Sequence, residues 1–135
     1  MPLFEWTNDF SVGVKQFDEQ HKKIIDAVNA FAVAMKERRA MEVISDLFDK
    51  LEDYAANHFQ AEERLMREHR YPEYDDHKSE HLYFKMRLVE YQEKLKQKNV
   101  GISIDIFTFL TEWIKSHFKG TDKKYSGFFR SKNVS

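Results

Sequence analysis

From residue 18 to about residue 38, apolar side chains fall at Ile24, Ile25, Val28, Phe31, Ala32 and Met35. Gaps of three and four keep such residues on one face of an α-helix. The spacing predicts an amphipathic helix here, with Asp18 as its N-cap. A second stripe, Ile44, Leu47, Phe48, Leu51, Tyr54, Ala55, Leu65 and Met66, predicts a helix over about 41–67. The break between the two, placed at Arg39–Ala40, is weakly marked. Pro72 suits the first position of a third helix, where its missing N–H would have no partner anyway. That helix runs to about residue 97, with Phe84, Leu88, Tyr91 and Leu95 inward. Asn99–Val100–Gly101 breaks it. Ser103 caps a fourth helix carrying Ile106, Phe109, Leu110, Trp113 and Ile114, and Gly120 stops it.

Before the first helix lies an irregular arm, 1–17, anchored by Leu3, Phe4, Trp6, Phe10, Val12, Val14 and Phe17. After the last comes a short tail, 120–135, whose Tyr125, Phe128 and Phe129 pack back on the helices. Helices over about 18–38, 41–67, 72–97 and 103–119 would each be about 25–40 Å long. Short connections make successive helices antiparallel. The expected fold is all-α: one domain, an up-down-up-down four-helix bundle with an N-terminal arm and a C-terminal tail.

Polar residues interrupt every stripe. His21 lies one turn before Ile24 and Ile25. His58 and Glu62 continue the phase of Tyr54 towards Leu65 and Met66. His77 and His81 precede Phe84, and His117 follows Trp113, with Asp122 beyond. An ionised carboxylate in an apolar core is costly unless it is paired or bound to metal. In an antiparallel bundle the offsets of these residues from their helix ends bring all seven to the same end.

The spacing then suggests ligation. Residues four apart share a helix face about 6 Å apart along the axis. His58-x-x-x-Glu62 can place a nitrogen and a carboxylate on adjacent metals, and His77-x-x-x-His81 can deliver two nitrogens to one. Five imidazoles and two carboxylates exceed one ion, whereas two ions bridged by Glu62 and Asp122 would use them all. Imidazole with carboxylate suits iron, manganese or zinc. With three nitrogens on one ion and two on the other, the second keeps one open position. Taken singly, each residue has an ordinary reading, such as an exposed helix pair for His58 and Glu62 or a dipole partner for His117. Those readings do not explain seven residues in phase at one depth. His69, between Glu68 and Arg70, fits no ligand position and reads as surface.

Composition narrows the field. The chain has 135 residues, a net charge of −1 and no cysteine. Disulfides, thiolate zinc sites, cysteine-ligated iron–sulfur clusters and a cysteine nucleophile are excluded. Four glycines and two prolines are too few for a strand-and-turn protein. The balanced charge argues against a nucleic-acid partner. No apolar run approaches the roughly 18 residues of a membrane span. The start, Met-Pro-Leu-Phe-Glu-Trp, lacks the basic and apolar blocks of a signal peptide, so a cytoplasmic protein is expected, and it is taken as a monomer.

The pattern His21 … His58-x-x-x-Glu62 … His77-x-x-x-His81 … His117-x-x-x-x-Asp122 resembles the hemerythrin family, in particular its single-domain bacterial members. The arm Trp6-x-x-x-Phe10-Ser11-Val12-x-Val14-x-x-Phe17-Asp18-x-Gln20-His21 resembles the same branch, and the likeness covers nearly the whole chain. It implies a non-haem di-iron centre that binds dioxygen reversibly for carriage, storage or delivery. Carried over, His77, His81 and His117 ligate the closed iron and His21 and His58 the open one. Glu62, Asp122 and an oxo or hydroxo group bridge them. The family holds dioxygen as hydroperoxide on the five-coordinate iron. Ile24, Phe59, Trp113, Ile114 and Phe118 would line the oxygen pocket.

Competing readings are a di-iron oxidase or peroxidase, and a sensor of oxygen or redox state acting through a partner. Oxygen-activating ferritin-like sites use more carboxylates and a Glu-x-x-His pair. This chain has no Glu-x-x-His, so a binding protein rather than an enzyme is expected.

Overall fold

Each stripe becomes one face of a long rod. The computed structural model describes residues 4–97 and 101–134. Helix α1 spans Lys15–Lys36, α2 Ala40–Asp53, α3 Phe59–Glu68, α4 Tyr74–Lys96, α5 Ile102–Trp113 and α6 Asp122–Ser131. Two π-helical segments, Tyr54–His58 and Ile114–Thr121, join α2 to α3 and α5 to α6 without a break. The result is four rods. α1 packs on α2 and α5, and α4 packs on α3 and α5. This closes the expected four-helix bundle. Among the described residues, no helix is long and apolar enough to cross a membrane.

Several helix ends differ from the sequence reading. α1 starts at Lys15, three residues before Asp18. Asp18 instead accepts hydrogen bonds from the Ser11 hydroxyl (2.6 Å) and the Val12 N–H (2.8 Å), tying the arm to the first turn. Pro72 sits in the turn before α4, because the residue preceding a proline is pushed out of the helical region. Gly101, at φ 86°, makes the turn into α5, so Ser103 lies inside the first turn rather than capping it. Gly120 does not stop the fourth rod. Its backbone stays out of the left-handed region, and the expected tail is helix to Ser131, held by buried Tyr125 and Phe129. The anchor assigned to Leu3 and the break at Asn99–Val100 lie outside the described residues.

Helices α1, α3 and α6 end in one motif. Arg38, Arg70 and Asn133 adopt positive φ of 61°, 56° and 60°. Each is followed by an N–H that reaches back five residues: Arg39 to Ala34, Tyr71 to Met66 and Val134 to Phe129. This is a Schellman ending, in which glycine is the usual left-handed residue. A side chain there costs about 1–2 kcal/mol, partly offset by glycine's greater unfolded freedom. Arg38→Gly and Arg70→Gly should therefore each raise unfolding stability by about 0.5–1 kcal/mol in urea titrations. A loss of stability would contradict the assigned turn.

The core has two parts. A large cluster contains Ile24, Ile25, Phe31, Leu47, Leu51, Phe59, Phe84, Leu110, Trp113 and Phe118. A smaller one contains Val12, Val14, Phe17, Met66, Tyr71, Tyr125 and Phe129. Every rod passes from one to the other through the polar positions. The polar layer is thus enclosed between two apolar layers, because the arm and α6 extend past it.

Candidate metal centre

His21, His58, Glu62, His77, His81, His117 and Asp122 are all buried, none more than 2% exposed. Their ligating atoms form two overlapping groups. One comprises Glu62, His77, His81, His117 and Asp122, and the other His21, His58, Glu62 and Asp122. Within each group the atoms lie within 4.8 Å of one another. Both carboxylates belong to both groups. His69 stands apart, with its ring edge-on to Phe129.

The π-helical segments set this register. His117 and Asp122 are five residues apart, which in an α-helix leaves them about 140° apart around the axis. Here the Asp122 N–H donates to the His117 carbonyl, five residues back. A turn closed over five residues stacks the two side chains, with Asp122 Oδ1 3.0 Å from His117 Nε2. The Phe59 N–H likewise reaches Tyr54, ahead of the pair His58 and Glu62. Such segments recur at functional sites.

Each imidazole is fixed by an aromatic ring lying nearly parallel to it. Phe59 covers His81 at 3.8 Å, Trp113 covers His117 at 4.0 Å and Phe118 covers His21 at 4.1 Å. Tyr54 covers His58 at 4.9 Å and Tyr125 covers His77 at 5.5 Å. Three rings are also held from the Nδ1 side. His58 donates to the Gln20 amide oxygen, His81 to Glu63 (2.8 Å) and His117 to Glu80 (3.0 Å). Thr121 steadies Glu80 with a 2.7 Å hydrogen bond. A ring that donates from Nδ1 turns Nε2 inward as a donor atom for a cation.

Apart from one hydrogen bond between the Nε2 atoms of His21 and His58, the inward atoms crowd together without hydrogen-bonding. Asp122 lies 3.1 Å from His21 Nε2 and 2.9 Å from His77 Nε2. Glu62 Oε1 lies 2.9 Å from His58 Nε2 and 3.4 Å from His81 Nε2. The Nε2 atoms of His21 and His58 are 3.0 Å apart. Yet Glu62 Oε1, both Asp122 oxygens and Nε2 of His77, His81 and His117 have no hydrogen-bond partner among the described residues. Short distance without hydrogen-bond direction means that these atoms aim at shared points rather than at each other. A buried group left so costs about 1–3 kcal/mol. Imidazole nitrogens and carboxylate oxygens converging in this way fit metal cations of the iron, manganese or zinc type.

Electrostatics agree. Burial and mutual repulsion work against ionised Glu62 and Asp122, yet the facing imidazoles hold both below the usual carboxylate range. Burial alone would lower His117, but Asp122 and Glu80 outweigh it and raise its pKa to about 9. His81 is raised against burial by Glu62 and Glu63, whereas burial keeps His58 low. Without metal, the proton on His117 supplies part of the positive charge. At pH 7, below about 9, His117 then carries a proton that a ligand cannot keep. Adding ferrous iron or zinc to metal-free protein should release at least about one proton per chain, and loading should tighten as pH rises towards 9. An indicator dye in weak buffer reads this, and an unchanged pH would oppose it.

The sequence reading missed Gln20, Glu63, Glu80, Thr121 and Tyr125. The Tyr125 hydroxyl, kept neutral by burial beside Glu62 and Asp122, donates to Glu62 Oε2. For Gln20, Glu63 and Glu80 the one trace was adjacency: Glu63 follows Glu62, Glu80 precedes His81 and Gln20 precedes His21. Of the five expected pocket residues, all are buried in the larger apolar cluster. Ile24 also lines an open groove of about 480 Å³ between α1 and the second rod, with Gln20, Tyr54 and His58 at its inner wall. On the other side His77 borders a hollow of about 30 Å³.

A family described as the hemerythrin HHE cation binding domain matches residues 12–129. The chain is 34% identical over 126 residues to a bacteriohemerythrin of Stenotrophomonas maltophilia, covering 93% of this chain and 81% of that one. It is 28% identical over 124 residues to a myohemerythrin of Theromyzon tessulatum, covering 92% of each. A crystal structure of a hemerythrin point mutant superposes with a TM-score of 0.79 at 27% identity, covering 94% of this chain and 97% of that one.

Proposed function

Because the chain belongs to the hemerythrin family, we propose that it binds dioxygen reversibly at two iron ions and does not turn it over as an enzyme. The observation that carries this reading is the pair of overlapping groups sharing Glu62 and Asp122. His77, His81 and His117 would hold one ion, His21 and His58 the other, and the two carboxylates would bridge. Two ferrous ions would supply the two electrons that reduce dioxygen reversibly.

The protein's own residues then decide the outcome. Three nitrogens fill one side and two leave room on the other for one small ligand. The two cavities differ in the same sense. The larger reaches His58 on the two-nitrogen side, whereas the hollow at His77 has room for little more than a water molecule. Ile24, Phe59, Trp113, Ile114 and Phe118 cover one side of the layer with apolar surface, which limits water there and slows loss of charged oxygen species. Tyr125 keeps its proton and directs it to Glu62, which fixes that bridge without adding charge.

Elemental analysis with optical spectra before and after air tests the reading. Two irons per chain, and a visible band that forms in air and disappears under vacuum over repeated cycles, are expected. Continuous consumption of oxygen with an added reductant would instead make the protein an oxidase, and a metal content other than iron would overturn the assignment.

A further inference from the structure

Helix α4 is apolar on two faces. Phe84, Leu88 and Tyr91 are buried against the bundle, whereas Leu82, Met86 and Val89 are 50%, 65% and 60% exposed. At 100° per residue these last three share an arc of about 80° with Asp75, Lys78, Glu93 and Lys96. The steps between the seven are three or four residues, the spacing of a helix–helix seam. Read along the helix, the stripe is acid, base, leucine, methionine, valine, acid, base.

Turned end for end beside Met86, this order complements itself. Asp75 comes opposite Lys96, Lys78 opposite Glu93 and Leu82 opposite Val89, with the two Met86 side chains meeting at the centre. In a parallel pairing each charge would meet its like. We propose that the outer face of α4 binds a second copy of this chain, antiparallel, about a two-fold axis beside Met86. A contact of one patch with itself closes as a dimer and cannot grow into a filament. The charges at the two ends fit the same order, since α4 has Asp75 and Asp76 in its first turn and Lys94 and Lys96 in its last, and an antiparallel neighbour sets acids beside bases. Two acids and two bases leave the stripe neutral, which does not suit an anionic lipid surface. Within one chain Lys96 lies 3.6 Å from Glu93, both well exposed. Such a pair contributes little and can exchange for the one across the axis.

The contact does not involve the metal layer, so its test is independent of the oxygen-binding reading. Sedimentation velocity of the full chain, metal-loaded and metal-free, should show a concentration-dependent dimer. Lys78→Glu should weaken association by about tenfold, and adding Glu93→Lys should restore most of it. Far-ultraviolet circular dichroism checks that each variant is folded. The chain has no cysteine, so Met86→Cys provides a second measurement. Under mild oxidation it should form a disulfide-linked dimer. Val33→Cys, 51% exposed on α1, should not. A wild-type chain that stays monomeric to millimolar concentration would overturn the proposal. So would a dimer indifferent to Lys78→Glu, a folded double variant that does not recover, or equal cross-linking at both cysteines.

Discussion

Stripping the metal will lower the melting temperature by about 15 °C or more, while the helical signal survives at low temperature. The bundle itself does not need the ions. Its apolar stripes and both core clusters are complete without them. The polar layer between those clusters is different. Glu62 Oε1, both Asp122 oxygens and three Nε2 atoms are buried with no hydrogen-bond partner among the described residues. Metal would convert these unfavourable groups into ligands. An ion present at a thousand times its dissociation constant stabilises the fold by about 4 kcal/mol. For a chain of this size 1 kcal/mol moves the midpoint by about 4 °C, so one ion accounts for the expected drop and a second enlarges it. Thermal melts with and without a strong chelator provide the measurement. Coincident curves would mean that the layer is satisfied without metal. Asp122→Asn sharpens the test, because it removes one buried charge and should shrink the gap between loaded and stripped protein.

The parts of this layer that the sequence displays are those that violate its periodicity. His21, His58, His77, His81 and His117 occupy positions where an apolar residue belongs, and burial makes such a substitution costly. They are therefore visible without coordinates. The four rods are visible for the converse reason, since Phe31, Leu51, Phe84 and Leu110 keep the three-and-four spacing. Helix ends were harder to place. Arg38, Arg70 and Asn133 take the left-handed turns usually given to glycine, so three real stops carried no glycine. Gly120, read as a stop, lies inside a continuous helix.

The π-helical register is hidden for a further reason. A 3.6-residue period has no place for the extra residue of a wider turn. The five-residue gap between His117 and Asp122 was its one trace, and it reads equally well as an acid just past a helix end. Glu63 and Glu80 were hidden among 23 acidic residues. What distinguishes them is contact with His81 and His117 across the bundle, which no single helix reveals.

His21→Leu will abolish reversible oxygenation and leave about one tightly held iron per chain. The group of Glu62, His77, His81, His117 and Asp122 does not include His21, so three nitrogens and both carboxylates remain for one ion. The other group is reduced to His58 and the shared carboxylates. Losing a residue that only orients a ligand typically weakens metal binding 10–100-fold, so losing the ligand itself should cost about 100-fold or more. Leucine is chosen over alanine because Phe118 lies against the His21 ring at 4.1 Å, and an empty space there would confuse a metal effect with a packing one. His69→Ala serves as the control, since that sixth histidine lies outside both groups. Iron per chain, the optical spectrum in air and the melting curve of the stripped protein separate the outcomes. A variant with two irons and a reversible oxygen band would remove His21 from the centre. One that also melts early when stripped would show that its ring serves the core instead.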